Sequence, residues 1–169
     1  MTLIDLDTIT VDDTRLTIRP INLTDADRLA RMFDRLSPTT VHYRFFSPIR
    51  KPPRAALLHL AHVDHIRRDA LVALDGDEIV AVARYDAKPG SDEAEIALTV
   101  EDKWQHHGLG KELGRRLGVL ACGRGYHRFT AMMLADNRAA IGLMRKLSPS
   151  AELHFAEGEF EASMSTCRP

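Results

Sequence analysis

The stretch VEDKWQHHGLGK, Val100 to Lys111, decides how this chain folds. Just before it, Glu93 to Glu101 alternates with period two: Ala94, Ile96, Leu98 and Val100 share one face, Glu95, Ala97 and Thr99 the other, which is the signature of a strand. From Leu109 the period becomes helical, with Leu113, Leu117, Leu120 and Ala121 continuing one stripe until Gly123 and Gly125 end it. A strand therefore runs through a short loop into a helix with a glycine-rich first turn. Such a turn offers unpaired main-chain N–H groups and the positive end of the helix dipole, both suited to a phosphate or pyrophosphate. Glycines at 108 and 110 also simply permit a tight turn, so Gly-x-Gly alone leaves both readings open.

Two common phosphate motifs are excluded by the residues present. A Walker loop needs Ser or Thr after Gly110-Lys111, where Glu112 stands. A dinucleotide fingerprint starting at Gly108 needs Gly or Ala at position 113, which is Leu113, and belongs after the first strand of a fold.

Working outward, Ala70 to Leu74 and Glu78 to Tyr85 read as strands joined by Asp75-Gly76-Asp77, and Lys88-Pro89-Gly90-Ser91 turns the chain into the Glu93 strand. Leu16 to Pro20 is the first strong strand. Thr24 offers a cap to a helix carrying Ala26, Leu29, Ala30, Phe33 and Leu36, which Ser37-Pro38 stops while starting the next. Ser47-Pro48 and Pro52-Pro53 punctuate the chain before a helix over Arg54 to His62. Downstream, Arg128 to Leu134 reads as a strand, and Asp136-Asn137 caps a helix burying Ala140, Leu143, Met144 and Leu147. Strands near Ala151 to Ala156 and Phe160 to Thr166, joined at Glu157-Gly158, close the chain. This order predicts an α/β domain over 14–169, a mixed sheet with helices on both faces, behind a loosely paired acidic leader over 1–13.

Composition narrows the function. A chain of 169 residues, 44% hydrophobic and 28% charged, is one folded domain's worth. Its 23 Lys and Arg against 24 Asp and Glu leave a net charge of -1, so no bulk basic excess attracts a nucleic-acid backbone. The N-terminus lacks the charge and apolar core of a signal peptide, and no apolar run approaches the roughly 18 residues of a membrane span. The expectation is a cytoplasmic protein with neither nucleic-acid nor membrane partners, either monomer or homodimer. Cys122 and Cys167 are too few for a disulfide framework; a reducing compartment and a core position for Cys122 are expected. His59, His62 and His65 diverge around a helix and predict no metal site.

Gln105-x-x-Gly108-x-Gly110 resembles the acyl-CoA pyrophosphate loop of the GCN5-related N-acetyltransferase (GNAT) superfamily. The order of elements from Leu16 to about Thr166 is similar to that superfamily's layout. The segments RLSPTTVHYRFF, HVDHIRRDALVALDGDEIVAVARYD and DEAEIALTV resemble the catalytic domain of bacterial protein lysine acetyltransferases. The resemblance implies a centrally splayed GNAT-type sheet, acetyl-CoA as acyl donor, no metal, and a primary amine as acceptor, with a protein lysine favoured. Some of these relatives carry a fused regulatory domain, for which this length leaves no room.

By the same resemblance, main-chain amides from Gln105 through His106, His107, Gly108, Leu109 and Gly110 to Lys111 would hold the pyrophosphate. The strand near Leu98 to Val100 would pair with the pantetheine arm, and an N–H at or near Val100 would meet the oxyanion. Asn137 matches the asparagine that opens the next helix beside the cofactor, and is equally a plain helix cap. Transfer to an amine needs it neutral, yet a free lysine with a pKa near 10.4 is neutral in only about one molecule in a thousand at pH 7. A positioned base answers this. Glu95 is the candidate, since its strand resembles the catalytic-glutamate strand of the lysine acetylating relatives; partial burial is expected to raise its pKa, with Glu93 and Glu101 as alternatives. The tyrosine that many members use to protonate the thiolate falls at Met144. Two other readings remain: a small-molecule amine N-acetyltransferase, and a non-catalytic acyl-CoA-binding module. The cluster Tyr43, Arg44, Phe45 and Phe46 reads as packing ahead of an acceptor wall, and Gly114 and Gly118 suggest a close approach.

Overall fold

Alternating apolar residues build a single eight-stranded sheet, in the order β1-β2-β3-β4-β5-β6-β8-β7. The strands are β1 (Asp7–Val11), β2 (Thr14–Pro20), β3 (Arg68–Asp75), β4 (Glu78–Ala87), β5 (Glu93–Val100), β6 (Arg128–Leu134), β7 (Glu152–Ala156) and β8 (Glu159–Ser165). The helices are α1 (Ala26–Arg35), α2 (Pro38–Phe45), α3 (Arg54–Ala61), α4 (Leu109–Gly123) and α5 (Arg138–Leu147). This computed structural model describes residues 7–47 and 51–167; the first six residues of the leader and the Pro48 break lie outside them. Every neighbouring pair of strands is antiparallel except β5 and β6.

Helices cover both faces, as the element order predicts. One face packs Ile96, Ala83, Tyr85 and Phe129 against Leu109, Leu113 and Leu117 of α4 and Met144 of α5. The other packs Val72, Leu74, Ile79 and Val82 against Leu29, Met32 and Phe33 of α1, Val41 of α2 and Leu57 of α3. Glycines on α4 let α5 approach: a methyl group added at Gly114 would lie 2.9 Å from Leu147 Cδ1, and one at Gly110 would lie 3.4 Å from Leu143 Cδ2.

Three expectations change. Asp7–Val11, assigned to the leader, forms β1 and pairs along its whole length with β2, because the left-handed pair Asp12 and Asp13 closes a two-residue hairpin. The cap expected of Thr24 on α1 is not made: Asn22 caps a 3-10 turn over Leu23–Asp25 that leads into α1, accepting from the Thr24 N–H at 3.0 Å, and α1 itself has no side-chain cap. Cys122 is half-buried, and it is joined to Cys167 in a disulfide across 45 positions of sequence. Spacing alone did not disclose that pairing, because the strand β8 carries the chain end back beside α4.

Candidate active site

Parallel pairing of β5 with β6 covers only Glu93 with Arg128, Ala94 with Phe129 and Glu95 with Thr130. Beyond Glu95 the strands part, and the inner edge of β5 is left open. The Glu101 N–H bonds Val80 O of β4 at 2.9 Å, so by the alternation of a strand the main-chain groups of Leu98 and Val100 turn away from β4 into the gap. Both residues are half-buried there.

At the mouth of this gap the chain makes the turn into α4. Gly108 caps α4 at a φ of 83°, a left-handed conformation natural to glycine, and His106 is left-handed as well. The Glu112 N–H is bonded to Gly108 O at 3.1 Å, but no acceptor among the described residues meets the main-chain N–H groups of 106–111. A continuous run of free donors at a helix N-terminus is a ready anion cradle. Lys111 is exposed beside it, with no ion pair among the described residues.

Gln105 has a different part from the one expected of it. Its N–H is bonded to Asp102 O at 3.2 Å, so the donor run starts at His106. Its side chain donates to Val100 O at 2.9 Å and Thr40 Oγ1 at 3.2 Å, bracing the turn against the strand and α2. Asp102, which sequence reasoning missed, holds the same corner by accepting from the Ser37 N–H at 2.9 Å, Ser37 Oγ at 2.5 Å and Thr40 Oγ1 at 2.8 Å. Burial pushes the Asp102 carboxyl up, but these donors outweigh it and hold it below its ordinary range. His107 Nδ1 lies 2.6 Å from Asp12 Oδ2, tying the turn to the β1–β2 hairpin, while His106 is exposed. Leu109 is buried in the core and secures the first turn of α4. Asn137 Oδ1 accepts from the Ala140 N–H at 3.1 Å, so it does cap α5.

Glu112 sits in the first turn of α4, where a bare carboxylate would repel an anion. Arg115 donates to it at 2.6 and 3.0 Å and Arg116 at 2.7 Å. The Arg115 hydrogen bonds lead in lowering its pKa to about 2, Arg116 adding to them against the opposing effect of burial. A depressed folded pKa stabilises above the unfolded value near 4.5 and loses that contribution as pH falls toward 2. Glu112→Gln is therefore expected to cost roughly 1–2 kcal/mol at pH 6, after allowance for solvent screening, with the difference closing by about pH 2. Urea unfolding of both proteins across that range measures it.

Glu95 lies where the parallel pairing ends, opposite Asp86 of β4 and Thr130 of β6, with its side chain on the α1–α3 side. It is exposed, so the partial burial expected of it is absent. Of the three glutamates considered, Glu93 bonds Lys88 at 2.9 Å and the buried Glu101 bonds Arg35 at 3.0 Å. Glu95 alone of the three has no ion pair among the described residues. Tyr43 of α2 has its hydroxyl 3.5 Å from Asp136 O, between α2 and the loop before α5, whereas Phe45 packs against Phe33 of α1 with ring centroids 5.5 Å apart, as the packing reading expects. Met144 is buried on α5. No helix of the described residues is long and apolar enough to cross a membrane.

The open edge of β5 thus begins just past Glu95, a carboxylate without an ion pair among the described residues, and leads toward the turn whose N–H groups meet no acceptor among them. Residues 15–148 match the family described as Acetyltransferase (GNAT) domain. An acetyltransferase of Pseudomonas aeruginosa is 35% identical over 150 residues, which span 82% of this chain and 81% of that protein. The acetyltransferase Pat of Mycolicibacterium smegmatis is 35% identical over 134 residues, 77% of this chain but only 40% of Pat. The crystal structure of the GNAT domain of S. lividans PAT superposes with a TM-score of 0.87, covering 94% of this chain and 96% of that one at 28% identity.

Proposed function

The chain belongs to the GNAT acetyltransferase family, and from that premise we propose that it moves an acetyl group from acetyl-CoA to a primary amine, a protein lysine, with Glu95 as general base. The observation that carries this reading is the uninterrupted run of N–H donors over 106–111 at the start of α4, none of which meets an acceptor among the described residues. They fit a pyrophosphate, and Lys111 adds an exposed positive charge beside them. The open edge at Leu98 and Val100 fits the amide-bearing pantetheine arm, which can add to β5 as a short strand. Acetyl-CoA supplies an activated thioester.

Glu95, at the foot of the gap and without an ion pair among the described residues, is suited to take the proton that the acceptor ammonium must lose before its nitrogen can attack. The Val100 N–H, facing the gap, is suited to meet negative charge gathering on the acyl oxygen. With Met144 at the position of the usual tyrosine, the thiolate leaves without a dedicated acid; a thiol pKa near 8.5 makes it a tolerable leaving group. The preference for a protein lysine rests on the similarity of RLSPTTVHYRFF and DEAEIALTV to lysine acetylating domains.

Calorimetry with CoA, combined with thiol release from acetyl-CoA in the presence of lysine peptides and a panel of small amines, tests the proposal. Micromolar CoA binding and amine-dependent release are expected. Binding without release on any amine would favour a non-catalytic module, and no binding would sink the reading altogether.

A further inference from the structure

The α1–α3 face of the cleft holds two arginines that the transfer chemistry does not use. Arg84 of β4 lies opposite Ala97 of β5, two residues along the strand from the Glu95–Asp86 pair, and its side chain falls on the same face as theirs. It is only 8% exposed, and among the described residues its side chain makes one hydrogen bond, to Leu60 O at 3.2 Å. Arg44 is in the last turn of α2, the helix that packs on β5, and its guanidinium lies 5.1 Å from the centroid of the Phe45 ring. Among the described residues neither guanidinium has an ion pair, whereas Arg19, Arg28, Arg31, Arg35, Arg68 and Arg124 all do.

A charge withdrawn from water without a partner is costly, and proteins rarely keep one unless something supplies the counter-charge. Burial pushes both arginines below their usual range, Arg84 to about 10, with each other's proximity adding to the effect on Arg84. The neighbouring charges do not balance them. Asp86 is engaged by Arg68 at 3.2 Å, and the remaining carboxylate, Glu95, acts on Arg44. Among the described residues, two guanidiniums against one free carboxylate leave one positive charge over, on the face from which an amine would approach Glu95.

Resting on the transfer reading above, we infer that Arg44 and Arg84 form a subsite for a carboxylate carried by the acceptor near its reacting amine. A planar guanidinium pair suits a carboxylate because it can donate in parallel to both oxygens. That carboxylate is either the acid group of a small amino acid or an acidic side chain flanking a lysine.

Two matched probe pairs test this: 6-aminohexanoate against 6-aminohexanamide, and a capped Asp-Lys dipeptide against its Asn-Lys counterpart. Each pair is titrated by calorimetry into the protein with CoA and compared in kcat/KM with acetyl-CoA. At least a tenfold preference for the acid member is expected, falling to about twofold or less in Arg44→Met and partly restored in Arg44→Lys. Thermal unfolding checks that each variant is folded. Arg44 is chosen first because it is half-buried and has no hydrogen-bonded partner among the described residues; Arg84→Met is the second variant. A preference confined to the first pair assigns the subsite to a small acid, and one confined to the dipeptides assigns it to a flanking residue. Equal binding of acid and amide in both pairs overturns the inference, as does a preference that survives both methionine variants. The titrations need no turnover: a protein that prefers the acids yet never releases thiol contradicts acetyl transfer and leaves the subsite standing.

Discussion

Glu95→Gln is expected to lower kcat for amine acetylation by about 10²–10⁴-fold, the usual contribution of a positioned base, while CoA affinity moves by less than about twofold. The substitution keeps the shape of the side chain and removes only its ability to accept a proton. Glu95 stands on β5 at the last paired position before the strands separate, away from the α4 turn, so a change in its charge leaves the donor run intact. The loss should shrink at high pH, where more of the acceptor amine is already neutral and the base has less to do. Steady-state rates from pH 6 to 10, with CoA calorimetry on the same preparation, give both quantities. A variant with unchanged kcat would remove Glu95 from the mechanism, and neither Glu93 nor Glu101 could replace it without leaving Lys88 or Arg35.

Gly108→Val should weaken CoA binding by about a hundredfold or more. At a φ of 83° a β-branched residue is strongly disfavoured, by about 1–2 kcal/mol for the left-handed geometry alone. Relief of that strain turns the peptide groups beside it out of alignment, and each charge-assisted hydrogen bond to an anion is worth roughly 1.5–3 kcal/mol. Losing one or two of them exceeds the strain itself. A methyl group at Gly108 would meet no atom within 4 Å, so core packing is untouched and the melting temperature should move far less than the affinity. Binding of CoA to the valine variant with wild-type affinity would mean that the pyrophosphate sits elsewhere. Gly108→Ala, without the branch, should fall between the two.

Much of this molecule is legible from local pattern. The switch from period two to helical period between β5 and α4, Pro38 after the Ser37 cap, and the Glu157-Gly158 turn between β7 and β8 all act within a few residues, and the structure follows them. The helix-opening Asn137 was equally readable, because capping is local chemistry. What the sequence does not carry is the meeting of distant segments. Asp102 binds Ser37 and Thr40 more than sixty positions away. Cys122 reaches Cys167 only because β8 returns the chain. Arg84 stands in the middle of an apolar strand, and nothing local shows that α2, which carries Arg44, packs on the neighbouring strand. The reading of Glu95 as partly buried failed for a related reason: alternation gives the face of a side chain, and only the packing of α2 and α3 decides how much water that face keeps.

The parting of β5 from β6 gives the sheet a pair of raw edges in its interior. On the rim, a strand with unpaired hydrogen-bonding groups invites other chains to add to it, and proteins blunt it with charges or prolines. The outer strand β7 carries Glu152 and His154 in that position. Ile96 to Val100 needs no such protection, since α4 roofs one side of the cleft and α2 the other, and a foreign strand has no straight approach. An aliphatic, adhesive edge can thus be kept permanently open to a slender guest without exposing the molecule to aggregation.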